Sequence, residues 1–327
     1  MIKKFRFDFC VFIFCCLICF AETKAQDAVR SECFPFEKLS AGERKKAEDL
    51  LLKALDGEAL FTIAGGLKPM SSGFASFQVR VALPRQSDDE AEKIRKSFES
   101  KKPEELKDDE KAKLNAATQT LERRDSLQKI DETRRILQTF RCGGQDEIFA
   151  DVEHFAKIFD GKRYLEAIVF SRPRLRRMLA EKNDFFSRWG ITENAEPLQV
   201  LYAVETDETK ARFGGYGYLF GYPDYAVRFF VEAATEEDLT GKFVERSFYS
   251  IPTFANETNN FVYAVSKTHT ENETDRNLKQ KAAAILAEYK RRRAEYIGAN
   301  KKGVIEMMRD WFCATSDGKC SPNRINL

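Results

Sequence analysis

The chain has 327 residues, of which 43% are hydrophobic, 32% charged and 12% aromatic. This composition excludes collagen-like, low-complexity and multi-span membrane proteins. Because 54 lysines and arginines stand against 52 aspartates and glutamates, the chain also lacks the basic excess typical of nucleic-acid-binding proteins, and we expect no nucleic-acid partner.

Residues 1–25 have the pattern of a secretory signal peptide. Three basic residues precede the uncharged apolar run 9–21, which is too short to span a bilayer comfortably. Small residues before Gln26 predict cleavage there, with Ala21 as the alternative cleavage point and an uncleaved anchor as the alternative interpretation. We therefore expect a secreted or periplasmic protein with no stable membrane span after cleavage.

Cleavage leaves 50 basic and 50 acidic residues, so the predicted mature chain has no formal net charge. Long-range attraction of polyanions or anionic lipids by net charge is then not expected, although local charged patches can still act. The expected partner is an envelope protein or a polymer.

Four of the eight cysteines leave with the signal peptide, and Cys33, Cys142, Cys313 and Cys320 remain. In an oxidising compartment this even set predicts two disulfides, for which three connectivities exist. A turn signal at 317–318 lets Cys313 meet Cys320, which leaves Cys33 to pair with Cys142. Because no Cys-x-x-Cys spacing survives and the chain has two histidines, we predict no metal site.

The first predicted elements after the signal peptide are a helix and two strands. Ser40 and Glu43 form a capping box that starts the helix, which ends at 56–57. Strands are predicted over 59–64 and 74–83, the second because its apolar residues alternate.

A glycine-rich segment, 65–73, connects these two strands as a predicted loop. Loops carry binding residues more often than cores do. Lys68 and Ser71 are therefore candidate ligand contacts, with a plain connecting turn as the alternative.

Residues 85–141 are unusually charged, with 29 charged side chains in 57 positions. Apolar residues recur there at helical spacing, and Pro103 interrupts the pattern, which predicts a pair of amphipathic helices. The narrow apolar stripe favours a helical hairpin that lies on the domain, with a partner-binding coiled coil as the alternative.

Two β-hairpins are predicted further along the chain. The first joins 147–159 to 163–170 through Asp160-Gly161, a strong two-residue turn signal, although helix is the alternative there. The second joins 248–254 to 261–265.

The remaining segments are predicted as helices. Alternation of Val200, Tyr202 and Val204 leaves a strand as the alternative for the second of them. The predicted helices cover 171–188, 197–211, a stretch that starts at Pro223, 275–297 and 304–312.

Together these elements predict an α+β fold: one helix-rich globular domain over 26–327 with short antiparallel strands and hairpins. The charged helical hairpin 85–141 is an insertion in it. No repeat of 20 to 50 residues and no Pro/Gly/Ser linker divides the chain.

The segment 212–225 is the most distinctive stretch, with four glycines and six aromatic residues. Its glycine spacing misses the dinucleotide-binding fingerprint by one residue, so no cofactor is indicated. Glycines allow close backbone approach and tyrosines offer amphipathic faces, which suits a binding loop; a packed glycine-aromatic turn is the alternative. Its candidate ligand contacts are Arg212, Tyr216, Tyr218, Tyr222 and Asp224.

Common catalytic motifs are absent from the sequence, which lowers the expectation of an enzyme. We expect His154 to be a packed or edge residue of a strand and His269 to be solvated in a polar loop. We interpret the Ser-x-x-Lys spacing of Ser126 and Lys129 as chance, because it lies on a charged helix without companion motifs.

Two functional hypotheses follow. The first is an exported, non-catalytic protein that binds a polymer or an envelope protein through 212–225. The alternative is a carbohydrate hydrolase with paired carboxylates, for which Glu205, Glu208 and Asp224 are the nearest candidates.

Overall fold

The computed structural model describes residues 29–82, 86–142, 147–258, 260–313 and 319–321. They form a mixed α+β domain in which helices pack around a three-stranded and a two-stranded antiparallel sheet. This architecture confirms the predicted fold class. The predicted signal peptide lies outside the described residues.

Helices outnumber strands along the described chain. The helices are α1 Ala41–Asp56, α2 Leu60–Ile63, α3 Asp88–Phe98, α4 Asp108–Leu137, α5 Arg172–Glu181, α6 Asn183–Phe186, α7 Pro197–Glu205, α8 Thr209–Leu219, α9 Asp224–Thr240, α10 Glu273–Tyr296 and α11 Gly303–Phe312. The strands are β1 Met70–Arg80, β2 Ile148–Phe159, β3 Lys162–Ser171, β4 Arg246–Ile251 and β5 Phe261–Ser266.

Two of the predicted strand assignments are wrong. Residues 59–64 contain the short helix α2 instead of a strand, because a continuous apolar run fits either a buried helix or a buried strand. The strand alternative for 197–211 is also wrong, since α7 occupies Pro197–Glu205. The strand predicted over 74–83 exists but starts earlier, at Met70.

The larger sheet has the order β1-β3-β2, with β3 antiparallel to both neighbours. Asp160 and Gly161 join β2 to β3 with φ values of 50° and 69°, the left-handed pair that a two-residue hairpin turn requires. The first predicted hairpin is therefore confirmed, and β4 with β5 confirms the second.

Both faces of β3 are covered by helices over most of its length. Leu165, Ala167 and Val169 point into a core shared with α1, α4, α10 and α11. Ile168 and Phe170 point to the other side, into a second core shared with α5 to α8. This alternation along one strand places the sheet between two helical layers.

The charged segment forms the predicted helical hairpin, α3 against α4. Ala91 of α3 packs with Ala117 and Leu121 of α4 in a small separate apolar cluster. Further along α4, Ile130 and Leu137 belong to the main core. The second half of α4 is thus part of the domain, and its first half extends beyond the main core.

Two disulfides confirm the predicted pairing, Cys33 with Cys142 and Cys313 with Cys320. The Cys313 sulfur lies within 4.8 Å of the sulfurs of the other bridge. The first bridge therefore fastens the start of the described chain to the segment that follows α4, and the second closes a short loop beside it. No helix in the described ranges is both long and apolar enough to cross a membrane.

Candidate functional site

The segment 212–225 is not the predicted loop, because α8 runs through most of it. Its glycines allow close helix packing: a β-carbon would lie 2.9 Å from Phe185 at Gly214, 2.6 Å from Val204 at Gly215 and 2.8 Å from Val227 at Gly217. Such contacts are too short for any side chain. These three glycines therefore bring α8 against neighbouring side chains rather than toward a ligand.

The aromatic residues of this segment pack inside the protein. The Tyr216 hydroxyl donates a 2.6 Å hydrogen bond to Glu205, and burial together with that carboxylate raises the pKa of Tyr216. Tyr218 packs edge-on against Phe185 with ring centroids 5.0 Å apart, and Tyr222 packs beside Tyr263. These rings fill space between elements.

The charged candidates of the segment also have protein partners. Arg212 lies 3.9 Å from Glu205, and Asp224 forms a 2.6 Å ion pair with Lys182. Two open cavities lie beside β1, and both are lined by residues other than the five candidates in 212–225.

The carboxylates of the hydrolase hypothesis have separate roles. Glu205 is buried and accepts hydrogen bonds from the Ala156 N–H, at 2.7 Å, and from Tyr216. Asp224 is held by Lys182, and Glu208 is the residue that precedes α8. Glu205 and Asp224 are thus bound to different parts of the protein.

The structure places Lys68 and Ser71 in the interior, each with 0% of its surface exposed. The Lys68 ammonium forms an ion pair with Glu58 and lies 4.6 Å from the Phe261 ring centroid. Burial lowers the pKa of Lys68, which the Glu58 charge opposes. Ser71 is the second residue of β1 rather than part of a loop, and its Oγ lies 2.8 Å from the Thr62 hydroxyl.

Glu58, the partner of Lys68, lines an open cavity of about 620 Å³. The cavity lies between the end of α1, the start of β1 and the β4–β5 connection. Its polar lining includes Asp56, Ser72, Asn256 and Asn260. Asp56 is already held by hydrogen bonds from Tyr289 and Arg293.

A larger cavity, of about 750 Å³, lies along β1. Apart from Phe77, its strand side consists of alternate residues of β1 and β3, which the period of two places on one face. The register pairs them directly: Ser76 with Glu166, Gln78 with Tyr164 and Arg80 with Lys162.

The opposite wall of this cavity is one face of α4. Its lining residues recur at intervals of three and four, the spacing of helical neighbours. We call the cavity the edge groove, and it is lined by Ser76, Phe77, Gln78, Arg80, Glu122, Arg123, Asp125, Ser126, Lys129, Lys162, Tyr164 and Glu166.

Four cations line the edge groove: Arg80, Arg123, Lys129 and Lys162. In the part of the chain that the structure describes, no carboxylate lies within ion-pair distance of any of them. By contrast Arg124, the next residue of α4, pairs with both Glu92 and Asp125.

Arg123 has a further distinction, because its buried Nε atom has no hydrogen-bond partner among the described residues. Buried side-chain donors are nearly always paired, since an unpaired donor loses its hydration without compensation. Arg123 therefore carries a buried donor that no described residue uses, in a side chain that lines the edge groove.

Glu166 lies where the two cavities approach each other. A β-carbon on Gly73, which lines the smaller cavity, would be 3.7 Å from Glu166 Oε2. Burial raises the pKa of the Glu166 carboxyl, a hydrogen bond from Ser72 opposes this, and the Glu58 charge raises it further. The pKa of the Glu166 carboxyl is thus above that of a solvated glutamate.

The expectation that His269 is solvated is wrong. Its ring stacks on Tyr225 with centroids 5.1 Å apart, and its Nε2 atom lies 2.7 Å from Asp275 Oδ2. Asp275 is fully buried and also accepts a 2.6 Å hydrogen bond from Tyr263. The group anchors the first turn of α10 to β5 and α9.

Comparison of this chain with protein-family models, with curated proteins and with solved structures gives no match. The candidate site therefore rests on the geometry of this chain alone.

Sequence reasoning did not identify the edge groove as a site. It noted Ser126 and Lys129 only as a chance spacing, and it did not consider the cations at 80, 123 and 162. The sequence does contain a pattern that points to the groove. Polar residues recur in the predicted strands at 76–80 and 162–166, and a highly charged predicted helical segment lies between these strands in the chain. Finding the groove from that pattern requires knowing that β1 pairs with β3.

Proposed function

We propose that this is an exported, non-catalytic binding protein whose edge groove takes an extended, negatively charged ligand. The observation that carries the proposal is the set of four cations that line the groove without a carboxylate partner among the described residues. An arginine fork supplies several donors in one plane and suits carboxylate or phosphate groups.

Two observations support the exported location. The sequence begins with a signal-like segment, and the chain contains two disulfides. Disulfides of this kind persist in oxidising compartments. We therefore expect the protein recovered from the cell envelope or medium to have the mass of a chain that starts at Gln26.

A local charge acts over a short range even when the whole chain is neutral. At physiological salt the screening length is about 8 Å, so charges that line one groove act together on a ligand bound in it. Three carboxylates line the groove with the four cations: Glu122, Asp125 and Glu166. They offset the cations only in part, because Asp125 is paired with Arg124. The groove therefore favours anions locally.

The test measures binding of two soluble polyanions, poly-glutamate and polygalacturonate, with neutral dextran as the reference polymer. We expect at least one polyanion to bind more tightly than dextran. The Arg123→Gln variant should weaken that binding by roughly tenfold or more, because a hydrogen bond to a charged group contributes about 1.5–3 kcal/mol.

The matched control is Arg291→Gln, which removes the same charge from an exposed position on α10 where Arg291 pairs with Glu288 and Glu295. It should bind like the parent protein. Equal affinity for dextran and both polyanions, or full binding by Arg123→Gln, would overturn the proposed function.

A further inference from the structure

β1 is an edge strand of the larger sheet. The order β1-β3-β2 gives it one neighbouring strand in the described part of the chain, which is β3. An edge strand carries main-chain N–H and C=O groups that can pair with another extended chain. The availability of the β1 edge depends on which of these groups are free.

The register of β1 against β3 shows which main-chain groups are free in the second half of β1. In an antiparallel pair, residues alternate between those that exchange hydrogen bonds and those whose main-chain groups point away. Val81 N–H donates to Gly161 C=O, so Arg80, paired with Lys162, is of the second kind. The same alternation applies to Gln78 and Ser76. All three direct their main-chain groups away from β3.

The β2–β3 turn gives the same result independently. A two-residue hairpin loop is flanked by a hydrogen-bonded pair, here Phe159 and Lys162. The main-chain groups of Lys162 therefore point to β2 and not to Arg80.

Within the described ranges, no hydrogen bond satisfies the outward main-chain groups of Ser76, Gln78 and Arg80. The opposite edge of the sheet differs. There the outward Val152 N–H donates to Asp151 at 2.6 Å, and the Val152 C=O accepts from Arg134 at 3.4 Å. Side chains thus occupy the outward groups of Val152 on the β2 edge, while the outward groups of β1 from 76 to 80 have no partner among the described residues.

The open edge and the edge groove coincide. Phe77 points to the opposite face of β1 from Ser76 and Gln78, yet all three line the groove. The groove therefore extends from one face of the β1–β3 pair around the margin of β1. A register shift between Ser72 and Ser76 ends the regular stretch, which leaves five residues, or about 17 Å at roughly 3.4 Å per residue.

We propose that the edge groove binds an extended, acidic polypeptide segment of another protein, which pairs with residues 76–80 of β1 as an added strand. The inference rests on the proposed function and names its ligand. Outward groups at every second residue match the spacing of another strand. The unpaired cations at Arg80, Arg123, Lys129 and Lys162 select acidic side chains on it.

The experiment compares four probes of the whole mature protein by calorimetry: a hexapeptide of alternating glutamate and threonine, two N-methylated versions of it, and oligogalacturonate of equal charge. One version is methylated at the three glutamates and the other at the three threonines. In a bound strand only one of these two sets of N–H groups faces β1.

We expect the unmodified peptide to bind more tightly than oligogalacturonate. One methylated version should lose affinity by roughly tenfold or more, and the other should keep it within about threefold. The reason is that only one of the two alternating sets of N–H groups pairs with β1. Equal affinity of both methylated versions with the unmodified peptide would overturn strand addition.

The outcomes separate the two proposals. If oligogalacturonate binds in an Arg123-dependent manner and the peptide does not, strand addition is wrong and the proposed function stands. If neither probe binds, the proposed function is wrong and the inference falls with it.

A variant of the protein gives a second test. Gln78→Pro removes an N–H that the β3 ladder does not use, and proline is tolerated at such outward edge positions. It should weaken the hexapeptide by roughly fivefold or more relative to Gln78→Ala, which also removes the glutamine side chain but keeps the N–H. Unaltered peptide binding by a folded Gln78→Pro variant would contradict pairing at this edge, and the methylated peptides decide the matter if that variant does not fold.

Discussion

Gly215 of α8 and Val204 of α7 lie in direct contact: a β-carbon on Gly215 would be 2.6 Å from Val204 Cγ2. Gly215→Ala should therefore lower the free energy of unfolding by about 1–3 kcal/mol, the usual cost of an overpacked core. Urea denaturation measures this change. Gly42→Ala is the control, because nothing lies within 4 Å of that position and alanine favours the helix by about 0.5–1 kcal/mol. Equal stability of Gly215→Ala and the parent would contradict the close contact.

The two disulfides should contribute unequally to stability. The Cys33–Cys142 bridge closes a separation of 109 residues and the Cys313–Cys320 bridge one of 7. On the loop-entropy model they contribute about 4.7 and about 2.5 kcal/mol. Double alanine variants, compared by urea denaturation, should show the larger loss for the first bridge. A larger loss for the second would contradict this ranking.

Asp275 should make folding sensitive to acid. Burial opposes its ionisation, but hydrogen bonds from Tyr225, Tyr263, the Asn272 N–H and His269 outweigh this and lower the pKa of Asp275. A lowered folded-state pKa contributes stability above the unfolded value, about 3.9, which is lost as the pH falls through the folded value.

Asp275→Asn should therefore lose about 2–3 kcal/mol of unfolding free energy at pH 7, the scale of a hydrogen bond to a charged group. Its stability should also change less than that of the parent as the pH falls below about 4. Urea denaturation as a function of pH measures both. Identical pH profiles would show that the buried carboxylate is not the acid-sensitive group.

The contribution of Glu166 to stability should depend on pH in the opposite direction to that of Asp275. Its folded-state pKa is raised, so the cost of ionising it is absent below the unfolded value, about 4.3, and is fully present above the folded value. Glu166→Gln removes that cost. It should be more stable than the parent at pH 7 and equal to it at low pH, and it should bind acidic ligands more tightly at pH 7.

The control for Glu166→Gln is Glu257→Gln, at an exposed position between β4 and β5. It should change the free energy of unfolding by less than about 0.5 kcal/mol at either pH. A Glu166→Gln variant that is less stable than the parent at pH 7 would mean that the carboxylate is needed in its charged form.

Features that depend on neighbouring residues could be predicted from the sequence. The turn at Asp160-Gly161 and the capping box at Ser40 follow from local chemistry. The short Cys313–Cys320 bridge also follows from the turn between its cysteines. The Cys33–Cys142 pairing then followed by elimination.

Features that depend on contacts between distant residues could not be predicted from the sequence. Glycines suit a loop and a close helix contact equally well. At Gly215 the reason for the glycine is the distant residue Val204, which leaves no room for a β-carbon. The edge groove was missed for the same reason, because it needs the register of Gln78 against Tyr164 and the position of α4. Alternation in the sequence shows which residues of a strand share a face, but it does not show which strands lie beside it.

The most direct test of anion binding in the edge groove is hydrogen exchange of the whole mature protein with and without saturating poly-glutamate. We predict slower exchange in segments 76–80 and 122–129, which line the edge groove, and no change in 212–225. Slower exchange in 212–225 with an unchanged groove would contradict this prediction and would return the binding site to the glycine-aromatic segment.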